Sequence, residues 1–190
     1  MIIVTLINDT ELTYNSFDEI INSDVHSQIV RLNCYFNELT SLPESIGHLT
    51  NLKELYCPHN KLTCLPDSIG YLTKLQYLDC SSNKLTCLPE SIGYLINLER
   101  LYCYYNQLTS LPESMENLIN LVIFNFSYNQ IKEMPNTIIN LKNIKYFTKN
   151  DRLILTEQQQ RYVNWIQSEK SYPFDEYVDT TMVKCAYFGV

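Results

Sequence analysis

Four of the seven cysteines recur at one spacing, and their chemistry is the first to consider. They follow one another at intervals of 23 residues: Cys34, Cys57, Cys80 and Cys103. On neighbouring strands about 4.8 Å apart, four thiols in a row span roughly 14 Å. A tetrahedral zinc ion needs each sulfur at about 2.3 Å, so this row cannot form one metal site. The Cα spacing alone would permit a disulfide, but we interpret the row as small, buried, apolar thiols.

The other three cysteines divide into two kinds. Cys64 and Cys87 share a second repeated position, which holds Ser41 and Ser110 elsewhere in the chain, so Cys and Ser interchange there. Cys185 lies outside both sets, and it is the one cysteine that we predict to be reactive.

Glycines and histidines, which many catalytic sites need, are few and scattered. Three of the four glycines belong to a repeat, so no phosphate-binding loop, dinucleotide fingerprint or nucleophile elbow can be built from them. The three histidines occupy unrelated places and pair with no cysteine or carboxylate at a meaningful spacing. We therefore predict no catalytic residues, no cofactor and no metal, and an enzyme would require chemistry in the last 20 residues.

Composition indicates a single globular domain that binds neither nucleic acid nor a membrane. The 190 residues are 45% hydrophobic and 18% charged, with a net charge of −7. An acidic chain is a poor partner for phosphate backbones and anionic membranes. No apolar run approaches the roughly 18 residues of a membrane span, and the start lacks the basic region of a secretory signal. We therefore expect an intracellular, cytoplasmic protein with free thiols, and a monomer.

The elements that position these residues follow from a repeat of 23 residues between residue 29 and about residue 143. Its pattern is L-x-x-L-x-L-x-x-N-x-L, with Cys accepted at the third apolar site. One copy reads Leu52, Leu55, Cys57, Asn60, Leu62. Five copies in one register are the signature of a leucine-rich repeat.

Each part of the repeat has a physical role. Leu55 and Cys57 point to one face of a strand and Tyr56 to the other, and stacked coils close the core that one coil cannot. The Asn of each copy can satisfy turn backbone groups. The prolines suit the first turn of a short helical segment. The sequence predicts the α/β class: a leucine-rich-repeat solenoid with a curved parallel sheet on its concave side and short helical segments on its convex side.

Three segments divide the chain. Residues 1–28 form an N-terminal cap, with a strand over 2–7 and a helix over 16–21. Residues 29–155 hold five good coils and a degenerate sixth, which has Lys149 and Arg152 at its third apolar and Asn sites. Residues 156–190 form a C-terminal capping helix that ends near Glu169, opened by the capping box from Thr156 to Gln159, and a tail whose role stays open.

The outward strand residues line the concave face and are the predicted binding surface. These 30 positions hold 8 of the 15 tyrosines, a side chain enriched in binding sites. The candidate partner-binding residues are Arg31, Asn33, Tyr35, Glu54, Tyr56, His59, Tyr77, Asp79, Arg100, Tyr102, Tyr104, Tyr105 and Tyr128. Two alternatives stay open: a solvated face whose tyrosines reflect strand propensity, or a carbohydrate or small-ligand site at Tyr102, Tyr104 and Tyr105.

The stretch L-P-E-S-I-G-x-L-x-x-L-x-x-L, which begins at Leu42, resembles the leucine-rich repeats of the Ras-suppressor and scaffold type. The resemblance covers the repeats only. It implies a curved solenoid and a non-catalytic scaffold or adaptor that binds a protein partner, often in small-GTPase signalling. It does not identify that partner.

Overall fold

The computed structural model describes residues 1–150 and 152–168. Three predictions therefore lie outside the described residues: the reactive Cys185, the tail over 171–190, and the helix end near Glu169. Asp151, a concave position of the degenerate coil, lies outside them as well.

In the part of the chain that the structure describes, eight strands form one sheet, in the spatial order β2-β1-β3-β4-β5-β6-β7-β8. The strands are β1 (Ile2–Leu6), β2 (Glu11–Tyr14), β3 (Ile29–Asn33), β4 (Glu54–Tyr56), β5 (Tyr77–Asp79), β6 (Arg100–Tyr102), β7 (Ile123–Asn125) and β8 (Tyr146–Thr148). From β3 to β8 all pairings are parallel, and each pairs residues one repeat apart, as Leu55 pairs with Leu78. The predicted solenoid sheet is confirmed.

The N-terminal cap is a β-hairpin rather than the single strand we expected. β1 pairs antiparallel with both β2 and β3, and β2 was not predicted. The helix α1 (Phe17–Ile21) follows, with Ser16 at its N-cap accepting a hydrogen bond from the backbone N–H of Glu19. The buried Phe17 and Ile20 of this helix join the hydrophobic core, so the hairpin and helix together cover the first coil.

The convex side carries short 3₁₀ helices, which span Glu44–His48, Asp67–Tyr71, Glu90–Tyr94, Glu113–Asn117 and Asn136–Asn140; a sixth, His26–Gln28, precedes β3. The repeated proline lies immediately before each convex helix and not inside its first turn. The carbonyl of Pro43, for example, accepts the first helical hydrogen bond from Ile46, 3.0 Å away. Ile46, Leu49 and Leu52 point into the core and are fully buried.

A ladder of asparagine side chains ties each coil to the next. The Nδ2 of Asn83 donates to the carbonyls of Cys57, Cys80 and Ser81, at 2.9, 3.1 and 3.1 Å. Its Oδ1 accepts from the N–H of Leu62 at 3.0 Å. Each asparagine thus satisfies backbone groups on two coils that would otherwise be buried unpaired.

The sixth coil is more regular than its sequence indicated. Asn150, two residues before the expected site at Arg152, accepts the ladder hydrogen bond from the N–H of Asn129 at 3.0 Å. The helix α2 (Glu157–Ser168) then opens on the expected capping box, in which Thr156 and Gln159 bond reciprocally. Its buried residues Tyr162, Val163 and Ile166 cover the end of the core.

Candidate partner-binding surface

Sheet register arranges the predicted partner-binding residues in rows across the coils. The first row is Arg31, Glu54, Tyr77 and Arg100, and the second is Asn33, Tyr56, Asp79 and Tyr102. Tyr35 and Tyr104 share a position just beyond the strands, and His59, Tyr105 and Tyr128 share the next. The structure therefore brings the predicted residues onto one continuous surface, because residues one repeat apart lie side by side.

Three tyrosines form a connected aromatic belt over three coils. The ring centroids of Tyr56 and Tyr77 are 4.6 Å apart, and those of Tyr77 and Tyr102 are 5.4 Å apart. Burial raises the pKa of Tyr77 and of Tyr102 above the ordinary value, so both hydroxyls stay neutral at physiological pH. The belt offers contact area with polar tips.

One end of the belt is joined to an ion pair. The Nε of Arg31 lies 2.6 Å from Glu54 Oε2, and both side chains are partly exposed. The hydroxyl of Tyr56 donates to the same carboxylate oxygen at 2.9 Å. These two contacts fix the orientation of Tyr56. The positive charge of Arg31 and the negative charge of Glu54 balance each other.

Asp79 differs from the other candidates because it is only 6% exposed. Its Oδ1 accepts from the N–H and the hydroxyl of Ser81, at 2.9 and 2.6 Å. Burial raises the pKa of this carboxyl to about 6, against the opposing effect of the Ser81 hydrogen bonds. Asp79 therefore shapes the turn after its strand and offers little surface to a partner. Asn33 plays the same part by accepting from the N–H of Tyr35 at 3.0 Å.

A second aromatic feature, the rim, occupies the turn position where φ is positive in five successive coils: Phe36, His59, Ser82, Tyr105 and Tyr128, at φ values of 51° to 54°. The left-handed conformation is costly for such residues. The rim rings stack in two pairs. Phe36 and His59 lie 4.9 Å apart at 8°, and Tyr105 and Tyr128 lie 4.2 Å apart at 3°. Ser82 separates the two pairs.

The predicted tyrosine cluster on the fourth coil divides between these two features. Tyr102 packs on Tyr77 of the preceding coil, whereas Tyr105 stacks on Tyr128 of the following coil. Tyr104 contacts Tyr105 edge-on, with centroids 5.7 Å apart. Their contacts therefore spread over three coils and do not form one compact platform.

Sequence reasoning missed a polar cleft of about 430 Å³ at the edge where the strands begin. Its walls are two rows of residues one repeat apart: Asn97, Asn120 and Asn143, and Gln76, Glu99, Val122 and Lys145. The Nδ2 of Asn97 donates to the carbonyl of Thr73 at 2.8 Å, and Asn120 makes the same bond to Ile96. The 23-residue spacing of these asparagines was the available signal.

The cysteine row is buried as expected, and its thiols are free. The Sγ of Cys57 donates to the carbonyl of Asp79 on the next coil at 3.3 Å, and burial raises the pKa of Cys80 and of Cys103. Within residues 1–150 and 152–168, no group of three metal-ligating side chains lies close enough together to hold an ion. In the same part of the chain, no helix has the length and apolar character needed to cross a membrane.

Known proteins share this repeat and this architecture. A family model described as leucine-rich repeats (2 copies) matches residues 50–93 and 73–118. A leucine-rich-repeat protein of Leptospira interrogans is 29% identical with a TM-score of 0.58, over 76% of this chain and 43% of that chain. No curated protein sequence is significantly similar to the chain.

Two further solved structures are also similar. The plant peptide hormone receptor RGFR1, in complex with RGF2, is 32% identical with a TM-score of 0.55, over 60% of this chain and 19% of that chain. The PEPR1–AtPEP1 structure is 28% identical with a TM-score of 0.54, over 58% of this chain and 16% of that chain. The chain spans less than half the length of all three proteins. Leucine-rich repeats generally serve as protein-interaction modules, and this chain is built on leucine-rich repeats.

Proposed function

We propose that this chain is a non-catalytic interaction module that binds a protein partner on its concave face, in a scaffold or adaptor role. The observation that carries the proposal is the aromatic surface formed by the belt and the rim. Phe36, Tyr105 and Tyr128 in the rim are 63%, 52% and 64% exposed. Aromatic side chains held in fixed positions give large contact area at little cost in conformational entropy.

The rim supports this proposal more strongly than strand propensity would. Its residues lie in a turn and adopt positive φ, where an aromatic side chain gains nothing from a strand preference. The solvated-face alternative therefore leaves the rim unexplained. Two similar structures are complexes, one of the plant peptide hormone receptor RGFR1 with RGF2 and one of PEPR1 with AtPEP1, which favours a protein or peptide ligand over a sugar.

A reducing, intracellular compartment is part of the proposal. Cys64 and Cys87 are exposed and free, and exposed free thiols are typical of reducing compartments.

Affinity capture with two repeat-guided variants tests the proposal. The concave variant carries Tyr105→Ser and Tyr128→Ser, because Ser82 shows that the rim position accepts serine. The convex control carries Tyr71→Asn and Tyr94→Asn, because Asn117 and Asn140 occupy that position in later coils. Both remove two exposed tyrosines.

Each bait is incubated with extract of the source cells, and retained proteins are identified by mass spectrometry. We expect a protein retained by the wild type and the convex control and lost from the concave variant, with all three baits equally folded by circular dichroism. A protein lost only from the convex control would reject concave binding. Retention of nothing by the wild type, together with binding of free glycans that depends on Tyr105, would support the carbohydrate alternative instead.

A further inference from the structure

An exposed lysine of the chain itself shows how the edge of the sheet holds a cation. The Nζ of Lys74 donates to the Oδ1 of Asn51, one coil earlier, at 2.6 Å. Asn51 is held in place because its Nδ2 donates to the carbonyl of Ser27 at 2.7 Å. The amide oxygen is thereby turned toward the next coil, where the ammonium reaches it.

The same amide geometry recurs in the cleft without the lysine. Asn97 also donates through its Nδ2 to a carbonyl of the preceding coil, as Asn51 does. The residue that follows it by one repeat is Asn120 instead of lysine, and Asn120 uses its own Nδ2 on the carbonyl of Ile96. Within residues 1–150 and 152–168, no donor pairs with the Oδ1 of Asn97. The Oδ1 of Asn97 is thus left in the position that accepts an ammonium on Asn51. The Oδ1 of Asn120 is left in the same position on the next coil, because Asn143 likewise donates through its Nδ2 to the carbonyl of Ile119.

A carboxylate lines the same cleft as these acceptors. Glu99 is two residues beyond Asn97, is exposed, and forms no ion pair with the rest of the described chain. Lys145, the cation in the cleft wall, is two coils away from Glu99, a separation of roughly 10 Å. The cleft is therefore acidic at its Glu99 end and basic at its Lys145 end.

We propose that the Glu99 end of the cleft binds the ammonium or guanidinium group of a lysine or arginine side chain from a protein partner. An ammonium has three donors, and the amide oxygen of Asn97 and the carboxylate of Glu99 can accept two of them. Charge-assisted hydrogen bonds of this kind are the stronger ones, and the net charge of −7 favours a cationic group. This inference rests on the proposed function and specifies the chemistry of the partner.

The test is a ¹H–¹⁵N NMR titration of the full chain with Nα-acetyl-lysine N-methylamide. The uncharged Nα-acetyl-norleucine N-methylamide serves as the matched probe. We expect saturable shifts of the amides of residues 97–99 with the lysine probe and none with the norleucine probe. Equal shifts with both probes, or shifts spread over the whole surface, would overturn the proposal, and so would saturation by a glucose oligomer in place of the lysine probe.

Three variants sharpen the result. Glu99→Gln should weaken lysine-probe binding by about fivefold, which is the effect of losing one exposed charge pair. The control Glu133→Gln removes an equal charge from an exposed site outside the cleft and should leave probe binding unchanged. Asn120→Lys restores the arrangement of Lys74 on Asn51 and should block the probe. Unaltered binding by Glu99→Gln and Asn120→Lys would reject the assignment. The titration uses a small probe and no protein partner. Failure of the probe to bind can therefore be distinguished from failure of partner binding on the concave face.

Discussion

The ring of Tyr105 stacks on the ring of Tyr128, with centroids 4.2 Å apart and planes inclined by 3°. The two residues occupy one repeat position on neighbouring coils, and the spacing of parallel strands, about 4.8 Å, suits stacked rings. The exposed aromatic surface is therefore a consequence of coil register. Interactions that hold the register should control stability, and side chains on this surface should control binding.

Replacing a ladder asparagine should destabilise the fold strongly. Asn83→Ala leaves the buried N–H of Leu62 without its side-chain partner. It also removes one of the two side-chain donors to the carbonyl of Cys57, which keeps Asn60 as the other. We expect a loss of about 2 kcal/mol in the free energy of unfolding, since one unsatisfied buried group costs roughly 1–3 kcal/mol. Urea denaturation measures it, with the exposed convex Asn117→Ala as control. Equal small losses in both variants would show that the ladder contributes little.

Gly70 lies at a close approach between adjacent convex helices. A Cβ built on it would be 2.8 Å from the carbonyl oxygen of Ser91 and 2.9 Å from the Ser91 Cβ. Although alanine normally stabilises a helical position by up to about 1 kcal/mol relative to glycine, Gly70→Ala should destabilise this protein by about 1–3 kcal/mol through overpacking. Thermal unfolding followed by circular dichroism shows whether the variant is less or more stable than the wild type. A higher unfolding midpoint in the variant would contradict the close approach.

The burial of Asp79 makes stability depend on pH. The folded protein retains the Asp79 proton up to about pH 6, whereas an unfolded chain releases it near pH 4. The folded state therefore binds more protons between these values, and this residue lowers the free energy of unfolding as pH rises through that window.

Asp79→Asn should remove that penalty while keeping the turn, because Asn125 accepts from Ser127 at the equivalent position. The variant should match the wild type near pH 4 and exceed its free energy of unfolding by about 2–3 kcal/mol at pH 7. Chemical denaturation at several pH values provides the difference. A difference that is constant with pH would mean that Asp79 titrates normally.

Thiol labelling should separate the cysteines by burial. Cys64 and Cys87 are exposed, whereas Cys34, Cys57, Cys80 and Cys103 are buried. Sequence alone predicted Cys185 as the one reactive cysteine, and the exposure of Cys64 and Cys87 adds these two. Iodoacetamide should modify both in the native protein and the four buried cysteines only after unfolding, as peptide mass spectrometry would show. Native labelling of Cys80 at the rate of Cys87 would contradict the buried row.

Sequence periodicity was sufficient for the features that repeat. One residue type recurring at one repeat position was enough to predict three features. They are the pairing of Leu55 with Leu78, the burial of the cysteine row and the hydrogen bonding of the asparagine ladder. The burial of Asp79 could not be predicted in this way. Asp79 occupies the same repeat position as the partly exposed Tyr56, and its burial depends on the neighbouring rings. The strand β2 was missed because the polar segment Glu11–Tyr14 is held by its pairing with β1.

The cleft was missed for a different reason. Spacing alone places Asn97 and Asn120 side by side, but it does not indicate which amide atom faces the next coil. That orientation depends on the hydrogen bonds to Thr73 and Ile96, which only the folded backbone provides. Site chemistry that depends on one atom of a side chain therefore required the structure.

Site-specific photo-crosslinking tests concave binding most directly. Benzoylphenylalanine would replace either Tyr128 in the rim or Tyr94 on the convex side, which are 64% and 63% exposed and therefore equally accessible. Concave binding predicts that irradiation links the captured partner to position 128 and not to position 94. Adducts from position 94 alone would contradict it and would place the binding surface on the convex side.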